Sequence, residues 1–140
     1  MLIISIIAYL GQEGWDKDIM HQIGAVLYVG WGLFHLLAAL QVYKLGSGMP
    51  AGMVQGRLFQ SAWNLAYFAL FVSVVAVVYN WHNSSLGYWL NLAAASVTDI
   101  GFIIFILAPG HAPARLGSVG PTLWLLATSF STLGVLAIAA

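Results

Sequence analysis

Long apolar runs separated by short polar breaks set the pattern of this chain. Four runs stand out, at residues 23–43, 58–79, 86–108 and 121–140. A hydrocarbon core about 30 Å thick takes roughly 20 apolar residues per helix, so each run is long enough to cross it. The breaks at 44–52, 80–85 and 109–113 collect Gly, Pro, Asn and Ser, residues that end helices through their backbone preferences and side-chain competition. No run alternates apolar and polar positions as a barrel strand does, and an isolated strand would leave its backbone groups unsatisfied in lipid. The pattern therefore predicts an all-α integral membrane protein, one domain over residues 1–140, folded as an antiparallel four-transmembrane-helix bundle. Residues 1–10 are apolar but too short to span. They lack the basic start and small-residue cleavage site of a signal peptide, so a retained interfacial helix or a frayed lead-in is expected there.

Composition closes the soluble alternative. Of 140 residues, 61% are hydrophobic and 6% charged, whereas a soluble domain devotes about a quarter of its residues to charge. Four Lys and Arg in all leave no basic surface for nucleic acid. Cysteine is absent, which excludes disulfides, thiolate catalysis and iron–sulfur ligation. Lys44, Arg57 and Arg115 fall on one side of the bundle, while Lys17 lies among Glu13, Asp16 and Asp18 on the other. Because basic loops stay cytoplasmic, both termini are expected outside, in a bacterial inner membrane. Trp15, Tyr79, Trp81, Tyr88 and Trp89 gather at the expected outer boundary as an aromatic belt.

The chemistry to explain lies in the residues that lipid should reject. Asp99 is the one carboxylate inside a span, and His35 is the other strongly titratable group there. Counting about 1.5 Å per residue from the helix centres puts both within about 3 Å of the midplane, with Asn64 about 7 Å inward. A mid-membrane acid persists when it faces the interior, is paired or is neutral. Tyr28, Trp31 and His35 share a stripe of the first helix, Gln60, Asn64, Tyr67 and Phe71 one of the second, and Asn91, Ala95, Thr98 and Phe102 flank Asp99 on the third. This arrangement predicts an aromatic-walled pocket with an acid, an imidazole and an amide at its floor. The competing reading is structural: Asp99, His35 and Asn64 as interhelical hydrogen-bond glue, and Ala62/Ala66, Ala94/Thr98 and Thr128/Thr132 as close-packing pairs. No two histidines have metal-binding spacing on one helix, so no metal site is expected.

The segment 32–39, GLFHLLAA around His35, with Asn64 and the segment 100–105, IGFIIF, resembles the styrene oxide isomerases. Those are small four-helix membrane enzymes that bind haem b and form trimers. The similarity runs from about residue 21 onward and implies a homotrimer. The chain departs from that family at its site. The haem-ligand position six residues before the Asn is Leu58, the family's Asp falls at Ala95 and its Tyr at Ile103. Haem is therefore possible by resemblance but not favoured, and the scaffold is expected to serve other chemistry.

Two functions of different class follow. The first is a membrane-embedded isomerase or cyclase for a small lipophilic epoxide, olefin or isoprenoid. In it Asp99 is the acid, since burial disfavours the charged form of a carboxyl. His35 and Asn64 orient or relay protons, and Tyr28, Trp31, Trp63, Tyr67, Phe102 and Trp124 bind substrate, the tryptophans and Tyr67 steadying positive charge. The second is a non-enzymatic bundle, a complex subunit or apolar-ligand binder whose polar groups only fix helix register.

Overall fold

The computed structural model describes residues 17–139. The interfacial segment expected at 1–10 lies outside them. The chain folds into α1 (Lys17–Ser47), α2 (Met53–Val78), a 3-10 turn (Asn80–His82), α3 (Ser85–Phe102) continued by a π turn (Ile103–Leu107), α4 (Ala114–Gly117) and α5 (Val119–Ala139). No strand occurs among the described residues. Four helical segments are long and apolar enough to cross a membrane, Ile19–Ser47, Met53–His82, Ser85–Leu107 and Ala114–Ala137. The protein is an all-α membrane bundle with antiparallel neighbours.

The helices outrun the apolar stretches, and each difference has a local cause. Residues 17–22 hold no Gly or Pro, and Gly46 and Ser47 are tolerated in the last turn, so α1 runs on at both ends. It stops where Pro50 disfavours helical backbone at the residue before it. Gln55 Nε2 donates to the Gly46 and Met49 carbonyls at 3.2 Å each, which ties the early start of α2 to the end of α1. Pro109 and Pro121 lack an N–H. The turn before Pro109 widens, with Ala108 N–H donating to the Ile103 carbonyl at 2.8 Å. Pro121 cannot bond the Gly117 carbonyl, and the fourth span breaks at Ser118 between α4 and α5.

α1 is the hub, packed against α2 on one flank and α5 on the other. α3 closes the ring against α2 and α5, diagonally opposite α1. Lipid gives apolar side chains no reason to hide, so close backbone approach governs which face turns inward. A Cβ at Gly32 would lie 2.7 Å from the Ala69 carbonyl of α2, and one at Gly24 would lie 2.9 Å from the Ser131 nitrogen of α5. Only glycine lets α1 sit that near both neighbours. Inside are Ala25, Tyr28, Trp31, Val72, Ala76, Ala95 and Ala127, while Trp63, Val97 and Phe105 point outward. The α2–α3 turn is shaped by Asn83 at φ 54°, a left-handed conformation that Asn tolerates. Its side chain donates to the Gly134 carbonyl at 2.8 Å, and Asn91 Nδ2 donates to the Val72 carbonyl at 3.1 Å.

Candidate functional site

Helical spacing delivers two buried stripes to the bundle's diagonal. Tyr28, Trp31 and His35 line the inner face of α1, and Asn91, Ala95 and Asp99 that of α3. Because α1 and α3 are not neighbours, their side chains alone bridge the centre. Trp31 Nε1 donates to Asp99 Oδ2 at 2.6 Å. His35 stacks on the Trp31 indole, ring centroids 3.8 Å apart and planes 26° from parallel. Its Nδ1 lies 2.9 Å from the Trp31 carbonyl and its Nε2 lies 3.5 Å from Asp99 Oδ1. Trp31 and Asp99 are wholly buried and His35 is 6% exposed. On the third side is Gly120 of α5, where a Cβ would come within 2.9 Å of His35 Cε1 and 3.4 Å of Asp99 Oδ1.

Hydrogen-bond logic assigns the roles of Nδ1 and Oδ2 in the cluster. A carbonyl only accepts, so His35 Nδ1 carries a hydrogen and donates it to Trp31; the tautomer is assigned on that ground. An indole only donates, so Asp99 Oδ2 accepts. What faces across the remaining gap is Nε2 and Oδ1. With no proton between them two lone pairs oppose each other, and with two protons the buried pair is a net cation. One proton would make the pair neutral, either as carboxylic acid with imidazole or as carboxylate with imidazolium, across the 3.5 Å that separates the two atoms. Among the described residues Oδ1 has no hydrogen-bond partner.

The structure separates the other expected residues from this cluster. Tyr28 is wholly buried one turn from Trp31, its hydroxyl 3.1 Å from Thr128 Oγ1. Trp124 donates to Ser96 Oγ at 3.0 Å. Phe102 is half-buried at the edge of an open cleft between α2 and α3, together with Ser61, Asn64, Phe68 and Thr98. Asn64 is exposed in that cleft and does not meet Asp99 or His35, so the amide is not on the same floor as the acid and the imidazole. Trp63, 74% exposed, lines an apolar groove between α1 and α2 with Tyr43, Phe59 and Ala62. Tyr67 is 57% exposed and stacks on Phe71. The single pocket expected from the sequence is thus divided between a buried cluster and two outer recesses. The reason is the small-residue rule: Ala62, Ala69, Val72 and Ala76 take the inner face of α2, which turns Asn64 and Tyr67 away.

Leu58, at the expected haem-ligand position, has no ligating atom, while His35 turns Nδ1 to the Trp31 carbonyl and holds Nε2 3.5 Å from Asp99 Oδ1. Among the described residues no three of His, Cys, Asp and Glu come together as a metal site.

Sequence reasoning missed the partner of Trp31. A buried indole N–H needs an acceptor, and the i, i+4 spacing of Trp31 and His35 already placed both beside whatever met the imidazole. Gly120 carries no such signal. Compared with known proteins, the chain matches no family model, no curated protein and no solved structure.

Proposed function

We propose that this protein is a membrane-embedded isomerase or cyclase that rearranges a small lipophilic epoxide, olefin or isoprenoid by acid–base chemistry. The observation that carries the reading is the Trp31–Asp99–His35 cluster, a buried acid with an imidazole nitrogen 3.5 Å from it in the middle of an apolar bundle. An ionisable pair is a costly way to join helices, and its usual use in a membrane is proton movement. The chemistry balances without a co-reactant. The pair protonates an epoxide oxygen or an olefinic carbon, a C–O bond breaks or a π bond is consumed, and the rearranged cation returns a proton to the pair. Trp31 holds the carboxyl in place, and aromatic faces stabilise the cation. Substrate enters by the α2–α3 cleft, whose Thr98 and Phe102 flank Asp99 on the least embedded of the four helices. The bundle sits in a bacterial inner membrane with both termini outside and, by its resemblance to the styrene oxide isomerases, works as a homotrimer.

A second reading has its own support. Asp99 is wholly buried and its Oδ2 is satisfied by Trp31, as in a bundle where the cluster only fixes helix register. The discriminating experiment presents purified protein with aryl and terpenoid epoxides and olefins in D2O and looks for rearranged product, with deuterium on carbon where an olefin has been protonated. Conversion by the native protein that is lost in Asp99→Asn supports the enzyme. Full conversion by Asp99→Asn hands the cluster to the structural reading, and a Soret band lost in His35→Ala would return haem to the mechanism.

A further inference from the structure

We infer that the proton shared by His35 and Asp99 exchanges with one side of the membrane only, along a polar seam that runs from the cluster toward the amino-terminal end of α1. The inference rests on the reading of the pair as proton-holding and adds its direction of access. Toward that end each helical turn brings a polar group to the inside. Ser96 Oγ lies one turn before Asp99 on α3 and is joined to Trp124 of α5. One turn along α5, Thr128 Oγ1 meets the Tyr28 hydroxyl, and Thr132 Oγ1 meets that of Tyr88, both at 3.1 Å. Next comes Ser131, 2% exposed, with its hydroxyl oxygen unpartnered, and then His21, whose Nδ1 is also buried and unpartnered. Buried orphan polar atoms are the places where internal water is held. From His35 back to His21 is 14 positions of α1, about 21 Å at the helical rise. This column crosses the half of the bundle on that side.

In the opposite direction the seam ends. The buried residues beyond the cluster are Ala39, Gly46, Ala62 and Gly117, without a polar side chain among them. The α2–α3 cleft does hold Ser61, Asn64 and Thr98, but the Thr98 hydroxyl turns back to the Ala94 carbonyl at 2.9 Å and Asn64 faces outward. The charged and titratable groups near the route are few. α5 carries none, α3 adds Tyr88, and α2 offers only Arg57 and Tyr67, both exposed. α1 supplies His21 and Tyr28 on the seam itself, and its Lys17, Asp18, Tyr43 and Lys44 lie toward its ends. Among the described residues from Ile19 onward no Lys, Arg, Asp or Glu lies on the seam between His21 and the cluster.

The test follows hydrogen–deuterium exchange of the pair by time-resolved infrared spectroscopy of detergent-solubilised protein without substrate. The signal is assigned by its disappearance in Asp99→Asn. Ser131→Val and Thr128→Val each remove a hydroxyl from the seam and should slow exchange about tenfold. Ser131→Ala, which adds no bulk, is the check that slowing does not come from distorted packing. Asn64→Leu should leave the rate unchanged. Slowing by Asn64→Leu with normal rates in the seam variants would place the route in the cleft and overturn the proposal. Equal rates in all variants would mean exchange by opening of the bundle, and would overturn it too. A spectrum showing ionised Asp99 with neutral His35 would refute the shared proton itself, whereas normal seam behaviour with undiminished turnover by Asp99→Asn would refute only the enzyme.

Discussion

Replacing Asp99 by Asn and by Leu should give sharply different losses of stability, and the difference follows from the hydrogen bonds of the cluster. The amide of Asn can accept from the Trp31 indole through its oxygen and donate to His35 Nε2 through its nitrogen, reproducing the protonated acid group for group. Its cost should be about 0–1 kcal/mol. Leucine fills similar space but leaves the indole N–H and the imidazole lone pair unpartnered in the buried centre of the bundle. At about 1–3 kcal/mol for each orphan the loss is about 2–6 kcal/mol, and the weaker hydrogen-bond energies found within membranes set the lower end. Reversible unfolding of the bundle in mixed micelles, followed by circular dichroism, measures both variants against the native protein. A double-mutant cycle with Trp31→Phe isolates the indole bond, because once the N–H is gone Asp99→Leu should cost only the about 1–3 kcal/mol of the imidazole orphan. Equal losses for Asn and Leu would refute the argument, since the cluster would then depend on a charge that an amide cannot supply.

Three further outcomes are expected. Gly120→Ala pushes a methyl group against His35 and Asp99 and should destabilise by about 1–3 kcal/mol through overpacking; a neutral result in the same unfolding assay would deny the close approach of α5. Cysteines introduced singly at Ser47 and Ser85 should label from opposite faces of the membrane, Ser85 from outside, and labelling of both from one face would contradict the order of spans. Native mass spectrometry in mild detergent should show the proposed trimer; monomer alone would count against that proposal and the resemblance behind it.

The bundle was legible because length and composition of apolar runs are constraints that lipid enforces on every spanning helix. Asp99 and His35 were placed by the same logic, since an ionisable group in such a helix has one tolerable direction to face. Asn64 was not, because an amide is mild enough to lie in a cleft, and the inner face of α2 is chosen by Ala62, Ala69 and Ala76. In a soluble protein the aromatic stripe of Tyr67 and Phe71 would have marked the core. Here Phe71 packs against the core while Tyr67 is exposed, as large apolar groups are equally at home in lipid. The helix ends were misjudged where hydrophobicity fades before helicity does, as at 17–22 and 44–47. The widened turn before Pro109 and the break at Ser118 come from missing N–H groups, a signal that was readable but local.

The diagonal placement of α1 and α3 bears on how the protein is made. A helix with a central Asp enters the bilayer against a penalty of about 2.5–3.5 kcal/mol, and α3 emerges only after α1 and α2. By then the glycine-mediated α1–α2 hairpin can already stand in the membrane, presenting the Trp31 indole and His35. α3 inserts against waiting partners, and α5, bringing Gly120, seals the acid from the last open side. The order of synthesis thus shelters the acid at each stage, and a circular permutant that places α3 first should depend far more on the insertion machinery than the native order does.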